Sequence, residues 1–174
     1  MELKGRLKLI ADKVPECKTI CDIGTDHAYI PIYLVLKNIC FKAVAADVRG
    51  GPIKTAKDNI KRYNLENQIE TRIGYGLDPI LEGEAEVLVI TGMGGALINN
   101  ILTLGFDKAK KSKSLILQPM NATEELREWL YENGFDIYDE ELTDEGEKIY
   151  NVIAARWTGV PENFNEIYYH IGKK

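Results

Sequence analysis

Three observations predict an α/β fold built on a seven-stranded, mostly parallel sheet with an antiparallel terminal hairpin. Five strand–helix units alternate between Thr19 and Glu132. Two of the strand runs, Lys42–Val48 and Val87–Thr91, are apolar almost throughout, as strands covered on both faces must be. After Gly134 two strand-patterned runs follow each other with no helical pattern between them.

The elements justify this reading in order. Leu3, Leu7, Ile10 and Val14 recur at helical spacing among basic residues, so residues 1–14 form an amphipathic helix ended by Pro15. Thr19–Ile23 is the first strand, and Tyr29–Asn38 the helix after it, with Asp26 as N-cap and Pro31 tolerable in the first turn. The second strand ends on Asp47, and Gly50-Gly51-Pro52 turns the chain into a helix over Ile53–Tyr63. Ile69–Ile73 is the third strand, followed by Gly74-Tyr75-Gly76. The fourth, Val87–Thr91, runs into Gly92-Met93-Gly94-Gly95, a helix over Ala96–Leu104 and a lysine-rich loop. Ser114–Leu117 is the fifth strand, and the helix Glu124–Glu132 closes at Asn133-Gly134. Phe135–Leu142 and Lys148–Trp157 make the hairpin. No repeat or linker divides the chain, so residues 1–174 are expected to form one domain.

Composition narrows the function classes. No apolar stretch is long enough to span a membrane, and the charged N-terminus argues against a secretion signal. Three cysteines without paired metal-type spacing read as reduced thiols, which suits a cytoplasmic protein and predicts no metal site. The net charge of −5 counts against a dedicated nucleic-acid binder. Yet basic residues gather in Lys4–Lys18, Lys54–Arg62 and Lys108–Lys113, while Glu132–Glu147 is acidic, so one basic face is possible. Taken singly, each basic cluster reads first as a solvated helix surface.

The chemistry centres on Asp22-Ile-Gly24-Thr-Asp26-His27-Ala-Tyr29, a strand, a tight turn and a helix start. A dinucleotide fingerprint would need glycines where Asp26 and Tyr29 stand, and the Asp26 carboxylate would repel a pyrophosphate. Asp22 before the glycine, with Asp47 ending the next strand, suits S-adenosylmethionine better. That molecule carries an ammonium and a sulfonium and no phosphate. Asp47 stands where such sheets hold ribose hydroxyls, with capping of the next helix as the plainer alternative. Asp26 is a bare helix cap or a group that holds the methionine ammonium or a substrate amine; His27 either packs or handles a proton. His170 has no identifiable partner and is given no role. Glycines 92, 94 and 95 are expected to leave backbone groups open to a planar substrate. Asn59 either supports the Asp47 loop or is solvated, and Gln118 or Asn121 would hydrogen-bond a base edge.

Taken together, Asp22-Ile-Gly-Thr-Asp-His-Ala-Tyr-Ile-Pro31, Gly51-Pro52, Thr91-Gly-Met-Gly-Gly95, Leu115-Ile-Leu-Gln-Pro119 and Leu126-Arg127-Glu-Trp129-Leu130 resemble the bacterial tRNA (adenine(22)-N(1))-methyltransferases. The resemblance covers nearly the whole chain. It implies a Rossmann-like class I methyltransferase that uses S-adenosyl-L-methionine to methylate N1 of an adenine in tRNA. It also implies a cofactor site of Asp22, Gly24, Asp26, His27, Asp47, Val48, Tyr75 and Gly76. Asp26 and His27 are the catalytic candidates, and Gly92, Met93, Gly94 and Asn121 would face substrate. Two departures stand out. The family usually carries an acid where this chain has Tyr75, so binding of the adenine end would pass to Tyr75, backbone or Asp78. The family's helical C-terminal extension, thought to help hold tRNA, has no counterpart before Lys174. A small-molecule methyltransferase and a non-catalytic cofactor-binding module are the alternatives, separable by methylation assays on bulk tRNA and on metabolites.

Overall fold

The computed structural model describes residues 1–146 and 148–172; Glu147, the last of the acidic run, and the terminal Lys173 and Lys174 lie outside the described residues. One sheet runs β3-β2-β1-β4-β5-β7-β6, formed by β1 (Cys17–Ile23), β2 (Cys40–Asp47), β3 (Ile69–Ile73), β4 (Val87–Met93), β5 (Ser114–Pro119), β6 (Phe135–Glu145) and β7 (Lys148–Trp157). The first five strands pair in parallel, and β7 inserts antiparallel between β5 and β6. The predicted topology is present in full.

Both faces are covered. On one, α1 (Gly5–Lys13), α2 (Tyr29–Leu36) and α3 (Gly50–Arg62) bury Ile10, Ile32, Leu34, Ala56 and Ile60 against Ile20, Ala45, Val89 and Ile116 of the strands. On the other, α4 (Gly95–Leu104), α5 (Phe106–Ala109), α6 (Thr123–Glu132) and α7 (Glu166–Ile171) bury Ile98, Leu102, Leu126 and Tyr131 against Cys21, Val44, Ile90 and Leu117. This two-sided burial is why the central strands read as continuous apolar runs instead of alternating ones. The three cysteines are buried in these layers; burial pushes the Cys17 thiol up to about 11 and the Cys21 and Cys40 thiols up to about 12.

The departures from the sequence expectation have local causes. Helix α3 starts at Gly50, three residues early, so both glycines and Pro52 occupy its first turn, where backbone N–H groups have no intrahelical partner anyway. The lysine-rich loop contains α5, and α7 lies in the unassigned C-terminal segment; both are too short for apolar periodicity to reveal. Asp26 is not the N-cap of α2. That position is Ala28, left-handed at φ 56° and without a side-chain cap.

Candidate active site

The chain leaves β1 towards β2 on one side of the sheet and arrives at β4 on the other. Helices therefore diverge at the carboxyl ends of β1 and β4, opening a crevice where open α/β sheets bind ligands. Two lobes meet there at Gly24. The larger, about 560 Å³, lies between α1, the Asp22–Tyr29 turn, Arg49, Thr91-Gly92 and Met120. The smaller is walled by Ile23, Asp47, Val48, Met93, Leu97 and Ile101, with Gly74-Tyr75-Gly76 along one edge. Gly24 has φ +78°, and a Cβ on it would stand 2.1 Å from the Met93 Cε, so this turn admits glycine alone while Met93 lies across it.

Asp22 is 5% exposed and faces the larger lobe. Burial pushes its carboxyl up to about 6; the Thr25 hydroxyl beside it works the other way, and the Asp47 charge adds to the rise. Thr25 Oγ1 is itself buried and makes no hydrogen bond of ordinary geometry. A buried polar atom without a partner is costly, and Thr25 faces the same cavity as Asp22. A cationic donor would satisfy both.

Asp47 is 6% exposed at the end of β2. Its Oδ1 accepts from the Arg49 backbone N–H at 2.7 Å and from Arg49 Nε at 3.3 Å, leaving Oδ2 for a ligand in the smaller lobe. It does not cap α3, whose N-cap is Arg49 with no side-chain bond. Val48 follows, 58% exposed on the wall of that lobe.

Asp26 and His27 form the rim of the larger lobe, with His27 Nε2 at 3.2 Å from Asp26 Oδ2. The His27 ring stacks on Tyr29 with centroids 4.9 Å apart and planes 9° from parallel. Asn59 of α3 donates through Nδ2 to the His27 carbonyl at 3.0 Å. It thus supports the Asp26–His27 turn and not the Asp47 loop.

The glycine-rich segment at the end of β4 is less open than expected. Gly92 N–H donates to Gln118 Oε1 at 3.2 Å, the Met93 carbonyl accepts from Met120 N–H at 2.8 Å, and Gly95 N–H donates to the Asn121 carbonyl at 3.0 Å. A Cβ on Gly95 would meet the Ala122 carbonyl oxygen at 2.2 Å, so this glycine is there for close packing. Gly94 faces Asn121 Oδ1, and Gly92, at φ +77° with open space around it, borders the larger lobe. Gln118 is fully buried, and its carboxamide is spent on Gly92, Arg6 and the Pro119 carbonyl, so it holds the loop and does not read a base.

Sequence reasoning passed over Arg6. From α1 it enters the larger lobe, donates to Gln118 Oε1 at 2.8 Å, lies 5.0 Å over the Tyr150 ring, and holds its Nε 3.3 Å from Glu145 Oε2. An arginine interrupting the apolar face of an otherwise amphipathic helix was the available signal. Asn100 was missed too: Tyr75, on the edge of the smaller lobe, donates through Oη to its Oδ1 at 2.7 Å, tying that edge to α4.

Residues 3–153 match the family described as "Methyltransferase domain". The Bacillus subtilis tRNA (adenine(22)-N(1))-methyltransferase is 40% identical over 155 residues, which are 89% of this chain and 65% of that protein. Streptococcus pneumoniae Sp1610, solved in complex with S-adenosyl-L-methionine, superposes with a TM-score of 0.93 at 34% identity, covering 99% of this chain and 80% of that one. The chain belongs to the tRNA (adenine(22)-N(1))-methyltransferase family of methyltransferase domains. Within that family, Mycoplasma capricolum TrmK, solved with S-adenosyl-homocysteine, gives a TM-score of 0.87 at 28% identity, covering 98% and 75% of the two chains. This family member spans about two thirds of the length of the B. subtilis relative.

Proposed function

We propose that this chain binds S-adenosylmethionine in the two-lobed crevice and transfers its methyl group to N1 of an adenine in tRNA. The observation that carries the reading is the buried pair Asp22 and Thr25 facing one cavity, Thr25 Oγ1 without a hydrogen-bond partner, with a second buried carboxylate, Asp47, beyond Gly24. The chemistry of this donor set fits the cofactor. Asp22 and Thr25 would take the ammonium, Arg6 the carboxylate, and Asp47 Oδ2 a ribose hydroxyl, while Val48 and Leu97 flank the base. The named ligands of the S. pneumoniae and M. capricolum relatives support the choice of cofactor.

When bound, the cofactor supplies an electrophilic methyl on a positively charged sulfur. The protein's part is to position the base and exclude water. N1 is masked in a Watson–Crick pair, so the target adenine must be unpaired or flipped out. The parallel His27–Tyr29 rings on the rim offer it a stacking surface. The methylated base is cationic, and Asp26 is the group placed to stabilise that charge or take a proton from the exocyclic amine. His27, 3.2 Å away, orients that carboxylate.

A tRNA partner also accounts for the charge pattern. The cations around α5 are spent: Lys110 pairs with Asp107, Lys111 with Glu82 and Lys113 with Glu86. On α3, Lys54, Lys57, Lys61 and Arg62 are exposed and, among the described residues, have no ion-pair partner; Asp58 is the single acid among them. This ridge begins beside Arg49 at the cavity mouth, where a phosphate backbone would pass. A tRNA substrate places the reaction in the cytoplasm. No described helix is long and apolar enough to cross a membrane.

The test is transfer of labelled methyl from S-adenosylmethionine to unmodified tRNA, mapped by nuclease digestion and mass spectrometry. N1-methyladenosine is the expected product. Methylation of a metabolite panel with none of tRNA would overturn the reading.

A further inference from the structure

We infer that Asn59 of α3 is a positioning residue for methyl transfer. By donating to the His27 carbonyl, it holds the Asp26–His27 turn so that both residues stay at the larger lobe. The inference rests on the function proposed above and deepens it. It makes the rate of the chemical step depend on a residue that lines neither lobe.

The turn is anchored at both ends. Gly24 and Thr25 N–H donate to the Ala46 carbonyl of β2 at 2.8 and 2.9 Å, and the Ala28 carbonyl accepts from Ile32 N–H of α2 at 3.0 Å. Between these anchors the backbone takes an unfavourable step. Ala28 is buried at φ 56° and ψ 28°, in the left-handed region that crowds any residue with a Cβ. Alanine has no side-chain hydrogen bond with which to stabilise that region, so a contact elsewhere must hold it there.

The peptide that joins His27 to Ala28 carries the His27 carbonyl. Because that unit is planar, its rotation sets ψ of His27 and φ of Ala28 together. Asn59 Nδ2 donates to this carbonyl at 3.0 Å, so the bond fixes the plane and with it the left-handed Ala28. The donor is itself on a firm base, since Ile53, Ala56 and Ile60 of α3 are buried against the sheet.

The rim depends on that plane. His27 and Tyr29 flank Ala28, and their rings lie parallel, 4.9 Å between centroids, in a relative orientation set by the backbone between them. Asp26 Oδ2 is 3.2 Å from His27 Nε2, so a swing of His27 takes the carboxylate's partner away. Small errors in placing a reacting group are expensive in rate. A residue that acts only on that placement leaves cofactor affinity nearly unchanged.

The experiment compares wild type with Asn59→Ala and Asn59→Asp, each alone and with Ala28→Gly added. Aspartate keeps the size of Asn59 but, once ionised, has no proton to donate. Single-turnover methylation of saturating tRNA should fall at least about tenfold in both single variants, with S-adenosyl-homocysteine affinity within about twofold of wild type. Glycine takes left-handed angles freely, so adding Ala28→Gly should raise either variant's rate at least about threefold. The chain has two histidines, so the His27 ring protons can be followed by NMR without tRNA or cofactor. Stacking on Tyr29 should shift them upfield in wild type; the shift should shrink in the Asn59 variants and return with the glycine. A wild-type rate in Asn59→Asp, a loss that Ala28→Gly leaves in place, or an unmoved His27 ring would overturn the inference and leave the proposed function intact. No methylation of tRNA by wild type would overturn the proposed function, and this inference with it.

Discussion

The Arg6 guanidinium and the Gln118 carboxamide are hydrogen-bonded at 2.8 Å across 112 residues of chain, and the same carboxamide oxygen accepts from Gly92 N–H at 3.2 Å. One buried oxygen thus joins α1, β5 and the end of β4 at the larger lobe. Removing it takes the shared acceptor from both donors. Gln118→Ala is expected to cost about 1–3 kcal/mol in denaturant unfolding, the range for leaving buried partners unsatisfied. It should also weaken cofactor binding through Arg6. Wild-type stability and affinity in that variant would show the three elements to be held independently.

Asp22 makes cofactor binding pH-dependent. Its carboxyl holds a proton more tightly folded than unfolded, with a value near 6 against 3.8. Its burial therefore costs nothing below about pH 3.8, and the penalty grows as pH rises until it levels off above about 6. Asp22→Asn should then stabilise the ligand-free chain at pH 8 by about 1–3 kcal/mol, with the gain gone near pH 4. Wild-type affinity for S-adenosyl-homocysteine should fall as pH drops through 6, where the carboxylate becomes neutral. Calorimetry across that range on both proteins checks it; a pH-independent wild type contradicts the assignment.

Asp26→Asn should slow single-turnover methylation of saturating tRNA at least about tenfold, or roughly 1.4 kcal/mol of barrier. Cofactor affinity should change less, because a group acting mainly in the transition state lowers turnover more than binding. The side chain is 71% exposed and does not cap α2, so the substitution should be silent in thermal melts. Loss of affinity without loss of rate would make Asp26 an anchor for the cofactor.

Reversing charge at Lys54, Lys57 and Lys61 should weaken tRNA binding and lower the slope of log K against log salt by about 2–3, one phosphate for each lysine. Cofactor affinity should be untouched. Lys111→Glu is the comparison, since that lysine is already paired with Glu82. A larger effect from Lys111 than from the α3 set would move the RNA path to the other side of the sheet.

The seven strands and the terminal hairpin were legible because two-sided burial writes itself into sequence as apolar runs. Asp47 could be placed from its position at a strand end. Arg6 and Asn100 could not: each acts across more than twenty residues of separation, on an element whose pattern reports its own buried face and nothing of what it reaches. The Gly92–Gly95 run misled in the opposite direction. Three glycines suggest an open backbone, whereas Gln118, Met120 and Asn121 have bound most of it. Which partner a backbone group finds depends on strands that meet only after folding.

The buried thiols carry a practical consequence. With values of about 11 to 12, Cys17, Cys21 and Cys40 hold well under a thousandth of their population as thiolate at neutral pH, and all three lie beneath helices. Burial and raised thiol values should make all three react slowly with maleimides in the folded chain. A cysteine placed on the exposed α3 ridge should therefore take a fluorophore well before any native thiol does, which makes single-site labelling of the unmodified background the expected outcome.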